Sequence, residues 1–455
     1  MSKKLSHGEY TVGWICPLEV EQAAALEMLD EEHDRLSQEG PDHNVYHLGS
    51  ILGHNVVVAG LPRTGNTSAA TVMTQMRMTF RNLRYGLLVG IGGGVPTKTD
   101  NGMIRLGDVV VSKPTGQHSG AVQYDHGKAS TGQFQRTGAL PPPPAILLNA
   151  AQDLAVARAR VPRDPLKENI RRIDTTILGL IKYKYPGAIQ DNLYTPECIH
   201  HQPGLPCSEC GCCLSKRIPR ANEDYMEEDD VPRIVVHRGT IASGELVVKN
   251  AILRDQLAAN DDLLCFEMEA VGVLEDFPCL VIRGIADYCD SHKNDTWHGF
   301  AAAAAAAYAR QLFAHIPIEK RMDHQIRAEE RAALQLIEMR SFEEGARLLQ
   351  HVIDQQKGLS NPDHESVVQN LSVLQWAYWQ INDKRQAERI AREAVEILER
   401  TKGPSHPLTL DMLKKIADNL WHQGRGVESA LMNEDINNRR ASNRGDREDN
   451  GRIER

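Results

Sequence analysis

Two acidic motifs about one helix length apart concentrate the chemistry-bearing residues of this chain within positions 265–290. The first, Phe266-Glu267-Met268-Glu269-Ala270, sets carboxylates at the start of an apolar, helix-like run. The second, Arg283-Gly284-Ile285-Ala286-Asp287, follows a short apolar strand signal over 279–282, which places Asp287 where a strand ends and side chains open into a cleft. A carboxyl group so placed suits acid catalysis. A different constellation lies upstream, where five of the nine cysteines fall within positions 198–213 with His200 and His201 among them. Cys207, Cys210 and Cys213 have ligand-like spacing, and Cys198 or a histidine would complete a tetrahedral structural zinc site; the competing reading is free thiols or a redox-sensitive flap.

The elements that must position these residues read as strands alternating with helices. Residues 10–15, 55–59 and 85–89 carry strand patterning, residues 19–29 and 68–80 that of helices, and a helix over 299–315 closes the region before Pro317. Such alternation implies an α/β domain with a largely parallel or mixed central sheet. Gly90 to Gly94 read as a glycine-rich turn followed by Val95-Pro96 and another strand-like run, which removes the strand-then-helix context of a dinucleotide fingerprint. The loop from Pro62 to Ser68 opens a helix and offers backbone N–H groups and Arg63 to an anion. From Arg321 the pattern is helical alone. Asn361-Pro362-Asp363-His364 recurs as Gly403-Pro404-Ser405-His406, and Leu371, Leu374, Tyr378 and Trp379 recur as Leu413, Ile416, Leu420 and Trp421, a period of 42 that marks stacked helix pairs. About two and a half repeats fit. The expected division is therefore 1–317 with a Cys-rich insertion at 184–232, helical repeats over 321–432, and a polar, disordered tail over 433–455.

A chain of 455 residues exceeds the usual single-domain size. With 25% charged and 41% hydrophobic residues it has the profile of an ordinary soluble globular protein. A net charge of -9, with no strongly basic domain, argues against nucleic-acid binding and favours small molecules or proteins as partners. The polar start, Met1 to Glu9, carries no apolar secretory core, and the alanine run from Ala301 to Ala307 is too short to span a bilayer. The expectation is a cytoplasmic protein with reduced cysteines and no membrane segment.

The acidic motifs, taken in order with Val89-Gly90-Ile91-Gly92-Gly93-Gly94, Leu106-Gly107-Asp108-Val109-Val110-Val111-Ser112 and Ile241-Ala242-Ser243-Gly244, resemble the nucleoside phosphorylase and nucleosidase superfamily. That superfamily cleaves the N-glycosidic bond of nucleosides. The resemblance runs from about Tyr10 to Pro317 and is nearest to the fungal form that carries helical repeats behind it; the repeats are similar to tetratricopeptide repeats of the kinesin light chain type. It implies a nucleoside phosphorylase-like mixed central sheet flanked by helices, followed by an all-α helical-repeat region.

The resemblance also implies roles. Breaking the bond to a purine needs an acid for the leaving base, a stabiliser for the cationic ribosyl group and a nucleophile for the anomeric carbon. Asp287 corresponds to the acid that protonates N7, although the family has Ser or Cys where this chain has Ala286. Met268 and Glu269 correspond to the ribose-binding pair, with Leu246, Val247, Ala286 and Glu267 around the base. In the hydrolytic branch a glutamate after the first strand activates water; Glu21 aligns with it and Glu19 competes. Where the phosphorolytic branch places Arg and Ser on the phosphate, this chain has Leu88 and Ile91, which favours hydrolysis. Arg63, Gly65 and Gly92 are the candidates for an anion or the 5' group, and the fungal relatives usually have Asn where this chain has Glu245. The expected activity is a purine nucleosidase acting on adenosine-type nucleosides, or on ATP or other nucleotides, with no cofactor for catalysis. The alternatives are a purine nucleoside phosphorylase and a nucleoside-sensing module that signals through the repeats. A homo-oligomer and a protein partner on the repeats are also expected.

Overall fold

Apolar runs bounded by glycine and polar turns produce strands buried on both faces, and β1 (Val12–Cys16) is buried throughout. In the computed structural model, which describes residues 4–38, 40–200, 202, 214–219, 231–317, 321–358 and 363–450, the chain forms two units, Met1–Ile318 and Glu319–Arg455. After β1 come α1 (Glu19–Leu26), β2 (Glu31–His33), β3 (Tyr46–Ile51), β4 (His54–Gly60), α2 (Asn66–Thr79) and β5 (Tyr85–Gly94). A small hairpin, β6 (Lys98–Thr99) with β7 (Gly102–Met103), leads to β8 (Val109–Ser112) and β9 (Ala121–Gln123); a second hairpin, β10 (Gly127–Ser130) with β11 (Gln133–Arg136), precedes α3 (Ala145–Arg160) and α4 (Pro165–Ile170). The unit ends with β12 (Val236–Ser243), α5 (Ala251–Asp261), β13 (Leu263–Glu267), α6 (Ala270–Leu274), β14 (Cys279–Asp287) and α7 (His298–Phe313).

Ten strands form one mixed sheet in the order β13-β12-β8-β14-β5-β1-β4-β3-β2, with β9 on β12. Strand β13 pairs with β12 in parallel and also with β5 in antiparallel fashion, at Cys265 opposite Gly94 and Phe266 opposite Gly93. Strands β5, β14, β8, β12 and β13 therefore close into a ring. Gly90 to Gly94 are not a turn: they are the last five residues of β5. Their missing side chains make room for the crossing, because a Cβ at Gly92 would lie 3.0 Å from the carbonyl of Phe266 and one at Gly94 2.7 Å from Ile285.

Apolar cores cover both faces of the sheet, one under α1, α3, α4 and α7 and the other under α2 and α6. In α7 every alanine from Ala301 to Ala307 is buried, so the run is a close-packing surface. It sits so near β14 that a Cβ on Gly284 would overlap the carbonyl of Ala301. Among the described residues no helix is long and apolar enough to cross a membrane.

The second unit has six described helices, α8 (Arg321–Glu338), α9 (Phe342–Lys357), α10 (His364–Gln380), α11 (Lys384–Thr401), α12 (Pro407–His422) and α13 (Gly426–Asn450). Helices α9, α11 and α13 begin at Phe342, Lys384 and Gly426, 42 apart each time. The repeated sequence signal marks helix starts: Asp363 accepts the amides of Glu365 and Ser366, and His406 that of Leu408 ahead of Pro407. Leu371, Leu374, Leu413, Ile416 and Leu420 are core residues, whereas Trp421 is exposed. The tail differs from expectation. Residues 433–450 continue α13, because Ile436 is buried and Arg439 pairs with Glu399 and Asp435.

Gly284→Ala should lower the unfolding free energy by about 1–3 kcal/mol through overpacking against the α7 backbone. Gly179→Ala, in a position with open space around it, should stay within about 0.5 kcal/mol of the parent. Urea unfolding of both variants checks this.

Candidate active site

Register places Arg283 of β14 opposite Gly90 of β5, and Asp287, the last residue of β14, opposite Gly93. The Arg283 side chain has no exposed surface. Its Nη2 donates to Oε2 of Glu267 and, at 3.2 Å, to Oε2 of Glu269, while Nη1 donates to the carbonyl of Ile91 at 3.3 Å. Glu21 enters from α1: its Oε1 accepts the amide of Ile91 at 2.7 Å and its Oε2 that of Leu18 at 2.6 Å. Carboxylate and guanidinium meet over the bare Cα of Gly90, where a Cβ would overlap Glu21 Oε1 and come within 2.6 Å of Arg283 Nη1. Of the two candidate bases, Glu21 is buried in this cluster and Glu19 is exposed.

Three carboxylates around one cation cannot all be neutralised by it. Burial raises the Glu21 carboxyl to about 8, with the Glu269 charge adding and Arg283 and the two amides opposing. Burial likewise raises Glu269, with Glu267 adding and Arg283 opposing. For Arg283, burial works against the cation but the surrounding carboxylates outweigh it and hold it above the usual arginine range.

Helix starts hold the same carboxylates from the other side. Glu267 accepts the amides of Glu269 at 3.1 Å and Ala270 at 3.0 Å, at the start of α6. At the start of α2, Gly65, with a left-handed φ of +111°, donates to Glu269 Oε1 at 3.1 Å and Asn66 donates to Glu245 Oε1 at 2.9 Å. Two of the amides proposed for an anion are thus taken by carboxylates of the chain itself. Arg63 beside them is exposed, and Gly92 is a ladder residue of β5. Met268 is half-buried between the two acids.

Asp287 is turned by a β-bulge. Two residues of β14, Ala286 and Asp287, face one step of β5, which breaks the simple alternation of side chains. Its Oδ1 accepts the amide of Cys289 at 2.8 Å and its Oδ2 pairs with Lys293 Nζ at 2.6 Å. Burial depresses the Lys293 ammonium, but Asp287 outweighs it and raises the group above its ordinary value. The arm leading into the Cys-rich insertion braces this loop: the rings of Tyr194 and His292 stack at 4.0 Å, His200 N–H donates to Ser291 Oγ at 2.9 Å, and the Cys198 carbonyl meets His292 Nε2 at 3.2 Å. Cys198 is buried; Cys207, Cys210 and Cys213 lie outside the described residues. Among the described residues no three His, Cys, Asp or Glu side chains are grouped to hold a metal ion.

Ala286 is buried at the bulge, whereas Leu246 and Val247 are exposed, with the Leu246 carbonyl accepting from Tyr124 Oη at 2.9 Å. Two surface cavities, of about 900 Å³ beside Arg77, Thr79 and Asn82 and about 490 Å³ beside Arg158 and Lys167, involve none of the cluster residues. Arg283, Lys293 and Glu245 join the site without a role that the sequence assigns them. The signal for Arg283 was its place four residues before Asp287; Lys293 had none, since its partner is set by the loop after β14.

No family model matches the chain. It is 41% identical over 325 residues to a nucleotide-binding leucine-rich repeat (NLR)-like protein of Hyaloscypha variabilis, a match covering 71% of this chain and 31% of that protein. It is 26% identical over 312 residues to the ATP nucleosidase Cap17 of Escherichia coli, covering 66% of this chain and 50% of that protein. The chain thus spans half or less of the curated relatives it matches. Similar solved structures are the futalosine hydrolase of Helicobacter pylori (17% identity, TM-score 0.43, 68% of this chain and 99% of that one) and the 5'-methylthioadenosine/S-adenosylhomocysteine nucleosidase of Neisseria meningitidis (16%, TM-score 0.41, 67% and 98%).

The Glu21 carboxyl, raised to about 8, contributes stability that is fully present below the ordinary glutamate range near 4.5 and is lost as pH rises through 8. Replacing it with the neutral isostere should remove that loss. Thermal unfolding of the parent and Glu21→Gln between pH 5 and 9 should show the variant gaining on the parent as pH rises; parallel curves would rule out a buried, neutral Glu21.

Proposed function

We propose that this chain hydrolyses the N-glycosidic bond of purine nucleosides, adenosine-type substrates foremost, releasing free base and the ribose moiety. The observation that carries this reading is the flanking of one strand, β5, by a buried acidic pair on Arg283 at the end of β13 and a paired carboxyl group, Asp287, at the end of β14. Glu269 accepts hydrogen bonds from the ribose hydroxyls and its charge stabilises the oxocarbenium ion that forms as the bond breaks. Met268 packs on the sugar face. The Asp287–Lys293 pair holds the proton delivered to N7 of the leaving purine. Glu21, in its ionised fraction, takes a proton from the attacking water. Hydrolysis is preferred over phosphorolysis because Leu88 and Ile91 stand at the positions where the phosphorolytic branch has Arg and Ser, and the Ile91 amide already serves Glu21. The similarity to an ATP nucleosidase supports N-ribosyl hydrolysis as the class of reaction.

The likeness to an NLR-like protein supports a second element, a signalling context in which the helical repeats contact a protein partner or a second copy of the chain. On that reading the nucleosidase is the output and the repeats set where it acts.

Incubating the pure chain with a panel of purine nucleosides and nucleotides should give free base and ribose at the same rate with and without phosphate. Phosphate-dependent ribose 1-phosphate would instead make it a phosphorylase, and binding without turnover a sensor. Asp287→Asn should lower kcat about 10²- to 10⁴-fold, the usual contribution of a general acid. The rate of the parent enzyme should rise with pH toward about 8 as Glu21 ionises.

A further inference from the structure

The turn after β14 has to fold back on itself, because Asp287 takes the Cys289 amide on one carboxylate oxygen and Lys293 Nζ on the other. Locally that is unfavourable. Cys289 adopts a left-handed φ of +52° although it carries a side chain, and within the turn Asp290 accepts the amides of His292 at 2.9 Å and Lys293 at 3.3 Å. Tyr288, Cys289, Asp290 and His292 are all buried, so their polar groups need partners. One segment, residues 190–200, supplies several of them. The Tyr288 hydroxyl donates to Asp191 Oδ1 at 2.5 Å, the Ser291 hydroxyl accepts from the His200 amide at 2.9 Å, and the Cys198 carbonyl accepts from His292 Nε2 at 3.2 Å, which fixes a proton on that nitrogen. The Tyr194 ring stacks on His292 with 15° between their planes, and the Gln190 carbonyl accepts from Trp297 Nε1 at 3.1 Å just before α7. From the other side, Arg254 of α5 donates to the Tyr288 carbonyl at 2.7 Å.

This segment leads into the Cys-rich insertion, and its Asp191, Tyr194 and Cys198 are buried. A surface flap would not bury them. Their contacts fall on the residues between the acid and its cation, whereas Glu269 and Glu21 are held elsewhere, by the amides of Gly65 and Ile91. Loosening the segment therefore moves Lys293 relative to Asp287 and leaves the other carboxylates in place. We infer that Asp191 and Tyr194 are positioning residues for Asp287, clamping the 288–293 turn in the geometry that keeps Lys293 on the acid. The inference rests on the nucleosidase reading above and adds a support for its acid that lies outside the acidic motifs.

The test follows base release from adenosine and from ATP by the full chain in the parent, Tyr194→Ala, Tyr194→Phe and Tyr288→Phe, each with Asp287 intact and as Asp287→Asn. Tyr194→Ala should lower kcat about tenfold to a hundredfold, the scale of a misplaced catalytic group, with little change in KM. Tyr194→Phe keeps the stacked ring and should recover most of that rate, and Tyr288→Phe, which frees the turn from Asp191 alone, should cost about fivefold. In the Asp287→Asn chain the same substitutions should change kcat by less than about twofold, since the residue they position no longer acts. Hydrogen exchange at the Cys289, His292 and Lys293 amides should quicken in Tyr194→Ala while that of β5 stays as in the parent. If Tyr194→Ala loses protection in β5 as well, its fold has failed and Tyr288→Phe carries the comparison. Losses that multiply in full with Asp287→Asn, or variants with parental kcat and exchange, would overturn the positioning role and leave the nucleosidase intact. A parent that releases no base would end both.

Discussion

A guanidinium with no exposed surface, ringed by Glu267, Glu269 and Glu21, is the interaction on which the first unit's architecture turns. Burying a cation is unfavourable unless its partners are close and its hydrogen bonds are made, and burying carboxylates carries the same condition. The fold meets it from several directions at once. Backbone amides at the starts of α6 and α2 cap Glu267 and Glu269, and amides at Leu18 and Ile91 cap Glu21. One cation still cannot balance three carboxylates, so the surplus resides as a proton on Glu21, whose burial raises it to about 8. The cluster therefore stores a titratable group near neutrality beside the buried Glu267 and Glu269 carboxylates.

The small residues around the cluster follow from its bulk. Gly90 lacks a side chain where Glu21 and Arg283 meet; Gly92, Gly93 and Gly94 let β13 and β14 approach β5 from both sides and close the ring. On the opposite flank the alanines of α7 allow that helix to press on Gly284, one residue beyond Arg283. Arg283, Asp287 and Glu267 are thus placed by strand register, and Glu21 and Glu269 by the starts of α1 and α6, which holds the cluster on regular elements packed at close backbone distance.

Much of the fold was legible in the sequence because it depends on local pattern. Strand β1 was expected at 10–15 and lies at Val12–Cys16, and the 42-residue period reappears in the starts of α9, α11 and α13. What was misread depends on long-range partners. The Gly90 to Gly94 run looks like a turn until β13 and β14 are beside it, and residues 433–450 look disordered until Glu399 is there to pair with Arg439. At the site, the acidic residues were visible as motifs, but the bulge that re-aims Asp287, its Lys293 partner and the capping of α2 by Glu245 arise from contacts across the sheet or between distant loops. Leu246 and Val247, read as base-packing residues, are exposed in the chain by itself.

The most direct test of this account is a double-mutant cycle on the buried cluster, with Arg283→Met, Glu269→Gln and the pair measured by denaturant unfolding at pH 7. Removing the guanidinium alone should cost about 3–5 kcal/mol, because it strands buried carboxylates, and neutralising Glu269 in the same chain should restore a substantial part of that loss. If Arg283→Met stayed within about 0.5 kcal/mol of the parent, or the two substitutions were simply additive, the cluster would not be the constraint that organises this site.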